Sequence, residues 1–197
     1  TLEKYIAELP FKLTGDQKKV VEQITKDIAK TTMMTRLVQG DVGSGKTAVA
    51  FAAAAVAASS GYQTSMMAPT ELLAQQHLIT ATKLLPNFRT ALLSSDTSKD
   101  KELHRRIQAG EVDLVVGTHA LFQEGVKFKK LGLVVVDEQH RFGVEQRAEL
   151  LKKSEKGNAH LLMMTATPIP RTLALTLYGD LELSIIREKP QNRKQIH

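Results

Sequence analysis

The stretch Arg36-Leu37-Val38-Gln39-Gly40-Asp41-Val42-Gly43-Ser44-Gly45-Lys46-Thr47 constrains this chain more than any other, because it reads as strand, glycine-rich turn and helix start in succession. Residues 40–47 satisfy G-x-x-x-x-G-K-[ST], the pattern of a loop that cradles phosphate. Gly43 and Gly45 permit a tight turn, in which backbone N–H groups and the positive end of the next helix converge on one anion. Lys46 adds a point charge for β- and γ-phosphates, and the Thr47 hydroxyl is placed to ligate Mg2+. The Ala-rich segment 47–58 that follows is an excellent helix former.

The same rhythm runs along the chain. Thr14 caps a helix expected over 14–30, with Val20, Val21, Ile24 and Ile28 at helical spacing. Gly61 breaks the chain before a strand over 63–68, and Thr70 caps a helix that runs to about 85 and stops at Pro86. A strand over 90–94, a charged helix over 98–109 and a strand over 113–117 follow. Gly132, Leu133, Val134, Val135 and Val136 make the clearest strand, since four successive aliphatics without polar alternation require burial on both faces. Beyond it the spacing predicts a helix over 144–153, a strand over 160–164, a helix over 170–178 and a strand over 183–186. The expected fold is one α/β domain with a mostly parallel sheet covered by helices on both faces. Ligands of such sheets sit beyond the carboxyl ends of the strands, where Gly40, Asp137 and Thr165 lie.

Composition acts by exclusion. Six histidines without clustered spacing and no cysteine leave no disulfide and make a structural zinc site an unfavoured expectation. The longest apolar run, 48–58, is too short to span a bilayer, and residues 1–10 lack the order of a signal peptide, so a cytoplasmic protein without a membrane partner is expected. A net charge of +6 permits nucleic acid as a partner without demonstrating it. Residues 187–197 are polar and basic without apolar period and read as an exit linker.

A nucleoside triphosphatase needs, opposite its phosphate loop, a strand-end carboxylate to hold Mg2+ and a second acid to activate water. Asp137 and Glu138 follow the most buried strand directly and supply both. His140 is read as a coupling residue near the γ-phosphate, reaching Thr165 or Thr167. His77, His104, His160 and His197 read as ordinary surface or packing residues, and Lys99, Lys101, Arg105 and Arg106 as a solvated helix face balanced by Asp100 and Glu102. Met33, Met34, Met66, Met67, Met163 and Met164 read as core filler.

In this order and spacing, residues 40–47, 137–140 and 165–167 resemble motifs I, II and III of superfamily-two helicases. Phe11, Leu13, Thr14 and Gln17 resemble the upstream Q motif, which implies that Gln17 reads adenine. Residues 68–72 and 117–119 resemble motifs Ia and Ib, which implies that Pro69, Thr70, Glu71, Thr118 and His119 line a DNA strand. The longer runs Asp137-Glu138-Gln139-His140-Arg141-Phe142-Gly143-Val144 and Thr165-Ala166-Thr167-Pro168-Ile169-Pro170-Arg171-Thr172-Leu173 resemble the RecG-type bacterial ATP-dependent DNA helicases, which remodel stalled forks and Holliday junctions. The resemblance implies a three-layer RecA-like lobe over 1–186, with a helical Q-motif segment over 1–35. It also implies ATP and Mg2+ as cofactors, with Gly40, Gly43, Ser44, Gly45, Lys46 and Thr47 on the phosphates. Gln139, Thr165, Thr167 and Arg171 would couple nucleotide to motion. Branched or single-stranded DNA is the implied partner, together with a second RecA-like lobe and a wedge domain of the same polypeptide that no segment here matches. The transcription-repair coupling factor shares Arg141-Phe142-Gly143 and the Thr-Ala-Thr-Pro run, while Ser44 and Gln139 favour the RecG type. A nucleotide-dependent binding switch has no need of Glu138, and an RNA helicase is disfavoured by Gln139-His140 and Thr165.

Overall fold

A computed structural model describes residues 2–123, 125–138, 151–154, 158–167 and 181–188. Seven strands form its sheet: β1 (Thr35–Gly40), β2 (Gln63–Met67), β3 (Thr90–Leu93), β4 (Leu114–Gly117), β5 (Leu131–Val136), β6 (His160–Thr165) and β7 (Glu182–Ile186), in the spatial order β3-β4-β2-β5-β6-β1-β7. Every pairing among them is parallel. Helices α1 (Leu2–Glu8) and α2 (Gly15–Ile28) precede β1, and the chain returns across the sheet through α3 (Lys46–Ser59) after β1, α4 (Glu71–Leu84) after β2, α5 (Lys101–Ala109) after β3 and the short 3-10 turn His119–Phe122 after β4. The helices expected over 144–153 and 170–178 lie wholly or largely outside the described residues. No helix among the described residues is long and apolar enough to cross a membrane.

Successive side chains of a strand point to opposite faces, and both faces of this sheet are buried. Val38, Met66, Val116, Leu133, Val135, Leu162 and Met164 pack on one side with α1 to α4. Leu37, Met67, Val115, Val134, Val136, Leu161 and Met163 pack on the other with Leu103 and Ile107 of α5. That two-sided burial is why β5 and β6 carry unbroken apolar runs. Helix α3 is buried almost all round, and its alanines let α2 and the sheet approach closely. The Tyr5 hydroxyl pins α1 to it by donating to the Ala48 carbonyl at 2.9 Å.

Three expectations need correction. Helix α5 begins at Lys101, not 98, because Asp100 accepts from the Glu102 and Leu103 N–H groups and fixes the start there. The Thr97 hydroxyl, bonded to the Ser94 N–H and the Leu92 carbonyl, folds the preceding residues into a turn. Asp100 thus caps α5, and it is Glu102 and Glu111 that balance Arg105. Met33 is not core filler: it is 46% exposed, because β1 starts two residues later and only Met34 turns inward.

One ion pair joins three elements inside the lobe. Arg36 of β1 donates from Nε to Asp27 of α2 at 3.1 Å and from its terminal nitrogens to Asp27 and to Ser184 of β7, at 2.5 and 2.6 Å. The Ser184 hydroxyl donates onward to Gln23 at 2.8 Å.

Candidate functional site

The loop between β1 and α3 has the backbone that its glycines imply. Gly43 and Gly45 adopt φ of 77° and 83°, in the left-handed region. A Cβ on Gly45 would stand 2.2 Å from Nε2 of Gln17, and one on Gly40 would stand 2.5 Å from Oγ of Ser44. Gly45 caps α3 without a side-chain hydrogen bond, so the helix presents its N-terminal N–H groups to the loop. Among the described residues the buried Ser44 hydroxyl has no hydrogen-bond partner. Lys46 folds back, donating to the carbonyls of Gly40 at 2.5 Å and Asp41 at 2.9 Å. Burial pulls its ammonium below the ordinary lysine range, against the opposing pull of the Glu138, Asp137 and Asp41 carboxylates.

Gln17 bridges this loop and the start of α2. Its Oε1 accepts the Thr14 N–H at 2.9 Å and the Thr14 hydroxyl accepts the Gln17 N–H at 3.2 Å, a capping box, while Nε2 donates to the Ser44 carbonyl at 2.6 Å. Read from the resemblance as the adenine contact, Gln17 sits with its amide on the phosphate loop itself.

Strand β5 delivers the acid pair to the same edge of the sheet. The Asp137 N–H donates to the Met67 carbonyl at 2.9 Å, extending the ladder by one residue. Glu138 then turns away with φ of 49°, a left-handed conformation uncommon outside glycine and enriched at functional sites. One oxygen of Asp137 lies 2.7 Å from Nε2 of His77 in α4. His77 is therefore no ordinary packing residue, and its earlier assignment is corrected: it is 8% exposed and bonded to the first acid of the pair. Between β5 and β1 runs β6, which ends at Thr165 beside Gln39. Thr165 and Thr167 pair through their hydroxyls at 2.9 Å, and the Thr167 N–H donates to the Thr165 hydroxyl at 3.1 Å.

A second concavity of about 450 Å3 opens beyond the ends of β2, β3 and β4. Pro69, Thr70, Glu71, Thr118 and His119 all line it, so the five residues read as DNA contacts come together from two motifs far apart in sequence. Ser95 joins them: its N–H donates to Glu71 Oε1 at 2.9 Å and its hydroxyl donates to the same atom, holding the Glu71 carboxyl below its ordinary range. Thr70 caps α4 by accepting the Leu73 N–H at 3.3 Å. Helix α4 thus has its first residue in this groove and its seventh against Asp137. A larger cavity, about 520 Å3, opens at the opposite end of the strands near Lys30, Tyr62 and Lys130, and none of the residues read as functional lines it.

The profile of DEAD/DEAH box helicases matches residues 14–176, from the capping box of α2 past the threonine motif. The chain belongs to the DEAD/DEAH box helicase family. Among curated members it is 55% identical to the ATP-dependent DNA helicase RecG of Synechocystis, over 100% of this chain and 24% of the relative. It is 51% identical to the RecG of Bacillus subtilis, over 99% of this chain and 29% of the relative. Among solved structures it resembles RecG bound to a three-way DNA junction, at 43% identity and a TM-score of 0.83, covering 98% of this chain and 26% of that one. A DEAD box protein from Methanococcus jannaschii, 20% identical with a TM-score of 0.63 over 87% of this chain and 49% of that one, shares the fold. The fold is accordingly RecA-like, and the chain spans about a quarter of the length of the RecG proteins it matches.

Of the helicase residues nominated from sequence, Gln139, His140 and Arg171 lie outside the described residues. Two neighbours of the site have roles that the sequence does not assign. Ser95 was within reach, since it follows β3 as Pro69 follows β2 and Thr118 follows β4. His77 shares the buried face of α4 with Ala74, Ala81 and Leu84, and helical spacing puts it inward without saying what it meets.

Proposed function

We propose that this chain is the ATP-binding motor lobe of an ATP-dependent DNA helicase of the RecG type, which remodels branched DNA. One observation carries the reading: phosphate loop, acid pair, threonine pair and groove all occupy the carboxyl ends of one parallel sheet, in a chain about half identical to RecG proteins along its whole length. The similar RecG bound to a three-way DNA junction supports branched DNA as the substrate class. The relatives' greater length supports a longer polypeptide, with residues 1–186 as the lobe and 187–197 as the way out toward a second lobe and a wedge. Reciprocal bonds tie the first two residues of that exit to the lobe: Asp16 accepts the Arg187 and Glu188 N–H groups at 2.8 and 3.1 Å, and Glu188 accepts the Gly15 N–H at 2.8 Å.

The residues present fit ATP and Mg2+. Glycines at positions where a Cβ would collide, an uncapped helix N-terminus and a buried Ser44 hydroxyl without a partner among the described residues suit a triphosphate. Thr47, Asp137 and Glu138 supply only oxygen, the donor set of Mg2+. Bound there, ATP·Mg2+ supplies the transferable γ-phosphoryl group and the cation that neutralises its charge. Lys46 would exchange its two loop carbonyls for phosphate oxygens, Thr47 and Asp137 would hold the metal, and Glu138 would take the proton of the attacking water. Thr165 and Thr167, standing between phosphate loop and acid strand, relay the change in occupancy. Pro69, Thr70, Glu71, Thr118 and His119 line one DNA strand.

The test is ATP turnover by the full-length polypeptide with a three-way junction, with blunt duplex and without DNA. Stimulation by the junction well above that by duplex is expected, and equal turnover in all three would overturn the reading.

A further inference from the structure

The polar member of the inward face of α4 meets the site from behind. Ala74, Ala81 and Leu84 pack into the core, and His77, on the same face, reaches the end of β5 with Nε2 2.7 Å from Oδ2 of Asp137. Their side chains are 10% and 13% exposed, and 60 residues separate them in sequence. A carboxylate offers only acceptors, so the hydrogen of this bond belongs to Nε2 and His77 is the donor. Asp137 follows the carboxyl end of β5 as the phosphate loop follows that of β1 in the same parallel sheet, which puts the carboxylate held by His77 on the loop's edge of the sheet. A metal-binding carboxylate whose second partner is a buried N–H donor keeps one orientation, and such outer partners commonly affect metal affinity by about 10–100-fold.

We propose that His77 is a positioning residue of the nucleotide site, whose Nε2–H holds the Asp137 carboxylate in the orientation that receives the divalent metal. The proposal rests on Asp137 being the metal carboxylate. Without His77 the Asp137 side chain regains its rotamers, and the metal must then select one of them at a loss of affinity.

The experiment measures Mn2+ binding to the ADP-saturated chain by electron paramagnetic resonance, beside ADP binding in EDTA by calorimetry. His77→Leu keeps the volume and removes the donor, so Mn2+ affinity should fall about tenfold with metal-free ADP affinity unchanged. His77→Gln, whose amide N–H reaches the same distance, should restore most of the loss. In an Asp137→Asn background, His77→Leu should change nothing further. Should His77→Leu not fold, His77→Asn, whose shorter amide falls short of Oδ2, takes its place. If Asp137→Asn weakens Mn2+ binding while the His77 variant does not, the positioning role is overturned and the metal assignment stands. If both ADP and Mn2+ weaken equally in the His77 variant, His77 only packs. If Asp137→Asn itself leaves Mn2+ affinity unchanged, the assignment of the metal to Asp137 fails, and this proposal with it.

Discussion

In the proposed reading Lys46 answers a local electrostatic demand, to neutralise phosphate charge at a point where the backbone supplies only N–H dipoles. Its bonds to the Gly40 and Asp41 carbonyls are replaceable, and the partial burial that lowers its pKa makes a phosphate partner the more favourable. Lys46→Ala should therefore weaken ATP binding by about 1.5–3 kcal/mol, the range for a charged hydrogen bond; calorimetric titration measures it, and unchanged affinity would refute the phosphate-loop assignment. Gly45 faces a steric demand instead. A methyl group there would both strain a φ of 83° and displace the Gln17 amide. Gly45→Ala should destabilise the chain by about 1–2 kcal/mol and loosen α2 from the loop, read as a lower urea midpoint. For the acid pair, Glu138→Gln should retain ATP and Mg2+ binding and lose turnover in the full-length protein, because the amide keeps the shape but takes no proton. Asp137→Asn should lose metal affinity as well, and identical metal affinity in the two variants would refute the division of roles.

Among the elements, β1 has the most demanding position, because it carries the phosphate loop and is flanked by β6 and β7. The Asp27–Arg36 pair anchors its start to α2 and β7. Burial works to raise the Asp27 carboxyl, but hydrogen bonds from Lys30 and Arg36 outweigh it and hold the group below the ordinary carboxylate range. A carboxylate depressed in the folded state contributes stability that is present above its unfolded value, near 3.9, and is lost as pH falls through the folded value. Asp27→Asn leaves Arg36 buried against a neutral amide, so at pH 7 it should destabilise the chain by about 3–5 kcal/mol. The gap to the native chain should narrow on acidification below about pH 4; urea denaturation at pH 7 and pH 3 checks both, and a gap that stays constant would mean that folding does not lower the Asp27 pKa. The same elements show where pattern is legible. The caps Thr14 and Thr70 and the apolar run of β5 act through neighbours in sequence and could be read directly. The start of α5 could not, because Ser98 and Asp100 are both acceptable caps and the choice fell to the turn that Thr97 ties behind β3.

At the scale of the whole molecule, the proposed function makes this lobe half of what phosphoryl transfer and strand movement need. The charge that develops on the γ-phosphoryl oxygens is commonly met by an arginine from across a cleft, which contributes about 10³ to 10⁵ in rate. Residues 1–197 alone should therefore turn over ATP far more slowly than the full-length polypeptide and unwind no fork; comparable DNA-stimulated turnover by the two would remove the two-lobe reading. What the sequence by itself determined is what sequence neighbours can enforce: the phosphate loop from its glycine spacing, the parallel α/β class from repeated strand and helix periods, and the acid pair from its place after a strand buried on both faces. Tertiary structure alone decided the strand order β3-β4-β2-β5-β6-β1-β7, which sets β6 and its threonines between loop and acids. It alone decided that two distant motifs and Ser95 share one groove, and that His77 of α4 ends on Asp137. The physical reason is common to all three: periodicity specifies which face of an element is buried, whereas the partner on that face depends on which strands lie side by side, and that follows from the packing of the entire sheet.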